Sequence, residues 1–223
     1  MTRAYIYVGG PIDAAGITER PRDGELTVAA DSGWDNAALL GITPSLLVGD
    51  FDSIRQNTLP EDTEILRVPA EKDRTDTQLA VELAISRGAR ELVIVGGLTG
   101  RLDHTLSNLG VLEKLHAAGV HAVMTDGQNR VRFIRNGSAL IAKGAYTYLS
   151  LLVADDRAKG VEIKGCKYEL AGATLTRHDQ YAVSNEITGN CALVSVRRGG
   201  LFIIESKDTR EGKGEEYGKH QSK

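Results

Sequence analysis

The chain has 223 residues, 41% of them hydrophobic, enough to bury a substantial core as one large or two small domains. Its formal net charge of −3 supplies no broad basic field for nucleic acid, while leaving a small phosphorylated ligand open. No stretch approaches the roughly 18 to 20 apolar residues that span a bilayer. The first residues also lack the apolar core and small-residue cleavage site of a signal peptide. A soluble, cytoplasmic protein without membrane or nucleic-acid partners is expected.

From Tyr5 to about Asp126, short apolar runs alternate with helical stretches. Strands are expected at 5–8, 26–30, 46–48, 64–68, 92–95 and 122–125, and most are apolar along their length, as strands buried on both faces are. The segment Thr75-Asp76-Thr77-Gln78 has the form of a capping box, with Leu79 and Leu83 beginning a buried stripe and Gly88 as the stop. A second helix, over about 103–118, carries Leu106, Leu109, Leu112 and Leu115 and ends at Gly119. This order predicts an α/β domain with a mostly parallel, doubly wound sheet.

After Gly127 the helical patterns stop. Runs at 130–134, 139–142, 146–153, 161–163, 173–175, 181–187, 191–196 and 201–204 are short, β-branched or aromatic, and separated by Gly, Asn or Asp turns. They predict an all-β C-terminal sandwich domain. The expected organisation is therefore 1–126, 127–205 and a disordered charged tail over 206–223, with the boundary near Thr125–Asn129. Cys166 and Cys191, the only cysteines, lack zinc-binding spacing and are expected as free thiols in a reducing compartment, a disulfide being the alternative.

Function is concentrated at the strand ends of the first half. They carry Gly9-Gly10, Asp31-Ser32-Gly33, Gly49-Asp50-Phe51-Asp52-Ser53, Lys72-Asp73-Arg74-Thr75-Asp76, and Gly96-Gly97 followed by Arg101-Leu102-Asp103-His104. Ligands of open parallel sheets bind beyond the carboxyl ends of the strands, so these clusters converge. Taken singly, Asp and Gly are ordinary turn formers and acids favour helix starts. Together, Asp31, Asp50, Asp52, Asp73 and Asp76 crowd carboxylates in a way that a hard cation such as Mg2+ relieves, with substrate phosphates completing its shell.

Gly96-Gly97-Leu98-Thr99-Gly100 can cradle phosphate with backbone N–H groups, although it is not a Walker A loop. Arg101 can bind phosphate bidentately or simply pair with Asp103. His104 reads either as a proton shuttle or as a residue packing a helix start.

These motifs, in this order, resemble thiamin pyrophosphokinases, and the likeness continues through Asn108, the stretch 165–170 and Ser184-Asn185-Glu186. The resemblance implies an α/β domain, a β-sandwich and a homodimer with active sites shared between subunits. It implies transfer of diphosphate from ATP to the hydroxyethyl oxygen of thiamin, giving thiamin diphosphate and AMP. It further implies that Asp50, Asp52 and Asp76 hold magnesium, with Asp73 close by. Asp31, Gly97, Thr99, Gly100 and Arg101 would line the nucleotide side, and Asp103 would orient its neighbours.

Tyr168 would stack on the aminopyrimidine from the partner subunit, with Ser184 and Asn185 nearby. Ser32-Gly33-Trp34 departs from the Gly-Gly-small pattern of many relatives. The general base stays open between Asp73, Asp76 and none, because a metal-bound carboxylate is a weak base. Two other readings are a pyrophosphokinase acting on a pterin-type alcohol and a non-catalytic sensor of thiamin diphosphate or a nucleotide.

Overall fold

The computed structural model describes residues 2–50, 63–68, 74–179 and 181–208. It shows a mixed nine-stranded sheet with few helices and a second, antiparallel sheet of four strands. The strands are β1 (Thr2–Tyr7), β2 (Leu26–Ala30), β3 (Leu46–Gly49), β4 (Glu64–Arg67), β5 (Ala89–Val95), β6 (His121–Thr125), β7 (Asn129–Arg135), β8 (Ser138–Ala142), β9 (Tyr148–Val153), β10 (Arg157–Lys164), β11 (Leu170–Thr176), β12 (Cys191–Arg198) and β13 (Gly200–Ser206). The helices are α1 (Gly33–Leu39), α2 (Asp76–Ser86) and α3 (Leu102–Ala117).

The large sheet runs β4-β3-β2-β1-β5-β6-β7-β13-β9, parallel from β4 to β6 and antiparallel from β6 to β9. Side chains of β1 alternate between two cores. Ala4 and Ile6, with Val8 just beyond the strand, meet α2 and α3 through Ala80, Val81, Ala84, Val111, Leu112 and Leu115, while Tyr5 and Tyr7 meet α1 through Trp34 and Ala37. Each fully buried Leu or Ile here contributes roughly 1.5–3 kcal/mol relative to exposure. The four-stranded sheet, β11-β10-β12-β8, covers the antiparallel end of the large one. Val161, Ile163, Val194 and Val196 pack there on Leu149, Leu151, Leu201 and Ile203.

The expected helix ends hold. Thr75 Oγ1 accepts from Gln78 N–H and Gln78 Oε1 accepts from Thr75 N–H, both at 3.2 Å, completing the capping box of α2. Gly88 and Gly119, at φ +90° and +70°, close α2 and α3.

Three features differ from expectation. The boundary expected near 125–129 falls at the turn of the β6–β7 hairpin, and pairs such as Thr125 with Arg130 carry the large sheet through it. Residues 181–187 form no strand. They make isolated bridges at Asn185 and Ile187, with Ser184 at φ +55° breaking the extended run. Finally, α1 is a short helix that no periodic pattern in the sequence marks.

The two thiols are unbridged. Cys166 lies in the core, whereas Cys191 sits on the outward side of β12, where the less buried side chains alternate with buried Ala192 and Val194. Of the expected tail, Ser206 ends β13, Lys207 pairs with Asp13 at 3.0 Å and Asp208 accepts from the Tyr148 hydroxyl. The rest lies outside the described residues.

Candidate active site

The strand order reverses at β1, with β2 leading away on one side and β5 on the other. At such a point the loops leaving the two strands part and open a crevice. Here the crevice is a cavity of about 230 Å³, lined by Gly9 and Gly10 after β1, Asp31 and Ser32 after β2, Asp76 and Thr77 of α2, the turn Gly97, Thr99, Gly100 and Arg101 after β5, and His104 and Asn108 of α3. Residues from five separate stretches of sequence thus share one wall.

Close backbone approach makes this possible. A Cβ on Gly33 would stand 2.0 Å from the Tyr7 carbonyl oxygen, so only glycine lets α1 begin directly against β1. That contact explains the Gly33 of the unusual Ser-Gly-Trp, with Trp34 buried against the tyrosines of β1. Asp31 adopts φ +46°, a left-handed conformation that costs energy outside glycine and concentrates at functional sites. Gly97 is likewise left-handed, and a Cβ there would lie 2.6 Å from Asn108 Nδ2. Asn108, buried on α3, donates instead to the Gly97 carbonyl at 3.0 Å.

Arg101 and Asp103 form a bidentate pair, with Nε to Oδ1 at 3.2 Å and Nη2 to Oδ2 at 2.6 Å. Hydrogen bonding from Arg101, helped by the His104 N–H, pulls the Asp103 carboxyl down to about 2. Both side chains are well exposed, so the pair adds little stability. It holds the guanidinium at the cavity rim, with its remaining N–H groups available to an anion.

The structure therefore brings together Asp31, Asp76, Gly97, Thr99, Gly100 and Arg101, with Asp103 attached through Arg101. Asp50 follows β3 in the adjoining loop. A Cβ on Gly49 would lie 3.2 Å from the Asp31 Cα, so the two strand ends touch. Asp52 and Asp73 lie outside the described residues. Among the described residues no three acidic, His or Cys side chains form a metal-holding group. Magnesium asks for less: one or two carboxylates with waters and phosphates, and a hard, all-oxygen donor set at Asp31 and Asp76 meets that need.

Tyr168, Ser184 and Asn185 belong elsewhere. Tyr168 and Asn185, with Ile163, Leu170, Tyr181, Ala182 and Val183, line a groove of about 280 Å³ on the antiparallel half. The buried Asn185 side chain accepts from the Tyr168 N–H at 3.0 Å and donates to the Tyr168 carbonyl at 2.6 Å. It is a clamp that presents the Tyr168 ring outward. The Ser184 N–H donates to Ser150 Oγ at 3.0 Å.

Comparison with known proteins matches both halves. Residues 21–124 match the family described as "Thiamin pyrophosphokinase, catalytic domain", and residues 139–201 match "Thiamin pyrophosphokinase, vitamin B1 binding domain". The chain belongs to the thiamin pyrophosphokinase family. The thiamine pyrophosphokinase of Bacillus subtilis (strain 168) is 29% identical over 217 residues, covering 93% of this chain and 100% of the relative. A crystal structure of the Bacillus subtilis thiamine pyrophosphokinase superposes with a TM-score of 0.82 at 27% identity, over 93% of this chain and 100% of that one. One from Geobacillus thermodenitrificans gives 0.81 at 27% identity, over 94% and 99%.

Within this family member, the cavity falls in the segment matched as catalytic, apart from Val8, Gly9 and Gly10, which precede it. The Tyr168 groove falls in the segment matched as vitamin-binding. Thr77, Tyr181 and Val183 line these sites without belonging to the motifs that mark them in the sequence. Tyr181 and Val183 carried a signal, since both are large apolar residues flanking the Ser-Asn-Glu motif.

Proposed function

We propose that the protein transfers a diphosphate group from ATP to the hydroxyethyl oxygen of thiamin, forming thiamin diphosphate and AMP. The observation that carries this reading is the glycine-lined, carboxylate-bearing cavity at the sheet's switch point, with Arg101 at its rim, in a chain matched over both segments by thiamin pyrophosphokinases. Nothing in the comparisons favours a pterin substrate or a non-catalytic sensor.

In this reading 1–126 supplies the doubly wound catalytic half and 127–205 the β-sandwich half that binds thiamin and mediates dimerisation, with the large sheet running through both. The Gly97–Arg101 turn receives the polyphosphate through backbone N–H groups, and the Arg101 guanidinium meets charge that builds on the transferring group. Asp31, Asp50 and Asp76, together with Asp52 and Asp73, are the carboxylates that would hold magnesium, which would neutralise phosphate charge there. The hydroxyethyl oxygen bonds to the β-phosphorus, the bond between that phosphorus and the α,β-bridging oxygen breaks, and AMP departs with that oxygen. The hydroxyl proton passes to a carboxylate of the same wall or to water. The protein's part is alignment and charge, without a covalent intermediate.

Two exposed apolar surfaces support a homodimer with shared active sites. Leu102 and Leu106, on α3 beside the cavity, are 69% and 59% exposed, and Tyr168 and Tyr181 at the groove are 61% and 54% exposed. A second copy that seats one surface on the other would bring the aromatic groove to the polar cavity. The free thiols suit a cytoplasmic location.

The test is to incubate the purified protein with thiamin, ATP and magnesium and to identify both products. AMP with thiamin diphosphate, both abolished by chelation, is expected. ADP with thiamin monophosphate would mean an ordinary kinase, and tight thiamin binding without turnover would mean a sensor.

A further inference from the structure

Asn36 lies on α1, on the face of the sheet opposite Asn108, and is half-buried. Its side-chain nitrogen donates to the Val8 carbonyl at 2.7 Å and to the Gly10 carbonyl at 2.8 Å. Both partners are acceptors only, so the orientation of the amide is fixed by chemistry: nitrogen inward, with each of its hydrogens engaged. The same nitrogen would lie 3.2 Å from a Cβ on Gly96, which puts it against the second glycine loop as well.

From Asn36 the hydrogen bonding continues across the cavity floor. The Gly97 N–H donates to the Gly9 carbonyl at 3.1 Å, the Thr99 hydroxyl donates to the Pro11 carbonyl at 2.6 Å, and Asn108 holds the Gly97 carbonyl from the far side. The two glycine loops are thus laced to each other and clipped from both faces of the sheet, by Asn36 on one and Asn108 on the other. Without Asn36 the carbonyls of Val8 and Gly10 would lose their side-chain donor, and the Val8–Gly10 backbone could turn its carbonyls toward water in the cavity.

We infer that Asn36 is a positioning residue for the nucleotide: it holds the Val8–Gly10 loop at the spacing from Gly97–Arg101 that admits a polyphosphate. It touches no substrate and acts through the loop. The inference rests on the reading of the cavity as the site of ATP. It makes the effect of Asn36 selective, because the thiamin groove lies in the other half of the chain.

The experiment compares full-length wild type with Asn36→Ala and Asn36→Asp, measuring KM for MgATP, KM for thiamin and kcat from AMP release. Melting temperatures are recorded in parallel. Aspartate has the same shape but sets carboxylate oxygens against two carbonyls and adds negative charge beside the phosphate site. The expected result is a KM for MgATP raised about tenfold in Asn36→Ala and about a hundredfold in Asn36→Asp, from loss of two hydrogen bonds and then from repulsion. KM for thiamin should stay within about twofold.

KM does not depend on the fraction of enzyme that is folded, so a mere folding defect lowers apparent kcat and leaves both KM values alone. That outcome overturns the inference. So do equal rises in both KM values, and so does failure of both variants to fold. A wild type that releases no AMP defeats the functional reading instead. In that case calorimetric affinities for MgATP decide, and equal values in wild type and variants overturn the role of Asn36.

Discussion

In the parallel half, the residues that meet at the cavity come from loops far apart in the chain, each bringing one or two side chains to a common edge. In the antiparallel half, the groove is built from two neighbouring stretches, and one buried asparagine holds the backbone of the ring it displays. The first arrangement places point charges and backbone dipoles around a void. The second presents an apolar ring to whatever approaches. A site that must stabilise moving negative charge needs the former, because charges act from several directions at once. A site that must recognise a flat heterocycle needs only a well-held aromatic surface.

Substitutions in the two halves should therefore damage different kinetic constants. The largest effect is expected at Arg101. Arg101→Gln keeps a hydrogen-bonding side chain but removes the charge, and should lower kcat for AMP formation by about 10²–10³-fold, the typical cost of losing one such donor. Thiamin binding, followed by calorimetry, should change little. A loss of thiamin affinity as large as the loss of kcat would mean that the two sites are not separable in this way. Because Asp103 is paired to Arg101 at rest, the phosphates must share or displace that partner, and Asp103→Asn provides a control in which Arg101 is released.

A smaller effect is expected at Tyr168. Aromatic pairs contribute about 0.5–1.5 kcal/mol beyond their area, so Tyr168→Ala should raise KM for thiamin by roughly 2- to 10-fold from lost stacking alone, while Tyr168→Phe keeps it. KM for MgATP should not move in either variant. Equal behaviour of the Phe and Ala variants would shift the contact from the ring to the hydroxyl.

What the sequence makes legible follows the same division. Most of the parallel strands are legible because burial on both faces writes an unbroken apolar run, the exposed edge strand β4 being the exception, and their ends are legible because glycine and aspartate cluster there. The α1 helix is not, since its seven residues are too few for a periodic stripe and Gly33 reads as part of a turn. Asn36 carried no signal: a polar residue on a short helix looks solvent-facing, and its partners are backbone carbonyls, which have no sequence identity.

Residues 181–187 looked like a strand because aromatic and β-branched residues suit a pleated surface. Propensity cannot say whether an edge is free to pair, however, and Tyr181 and Val183 remain exposed. The continuity of the large sheet was hidden at Asp126-Gly127, a pair that marks a tight hairpin as readily as a domain boundary. The cavity's carboxylates at Asp31 and Asp76 were legible because the topology rule converts sequence order into spatial order.

The smallest expected effect lies at the seam between the halves, where β7 and β13 meet the loop after β1. Glu205 is nearly buried, paired with Arg132 at 2.9 Å and with Arg130 at 3.9 Å, while Arg130 also pairs with Glu19 and stacks over Tyr146 at 4.8 Å. Burial pushes the Glu205 carboxyl above its ordinary 4.5, against the pull of Arg132 and then Arg130, with Glu19 adding to the rise. Below that ordinary value the carboxyl is protonated in both the folded and unfolded chain. As the pH rises past it, the unfolded chain ionises first while the folded chain keeps its proton. Stability is therefore lost until the folded pKa is passed, and stays lower above it. Glu205→Gln, which resembles the protonated form, should lack this decline. Unfolding free energies of both proteins between about pH 4 and pH 8 should show wild type losing stability relative to the variant as the pH rises. The opposite slope would mean that the arginines outweigh burial and that the seam is held by net ionic attraction; the expected slope means that apolar packing joins the halves and the four charges fix only their register.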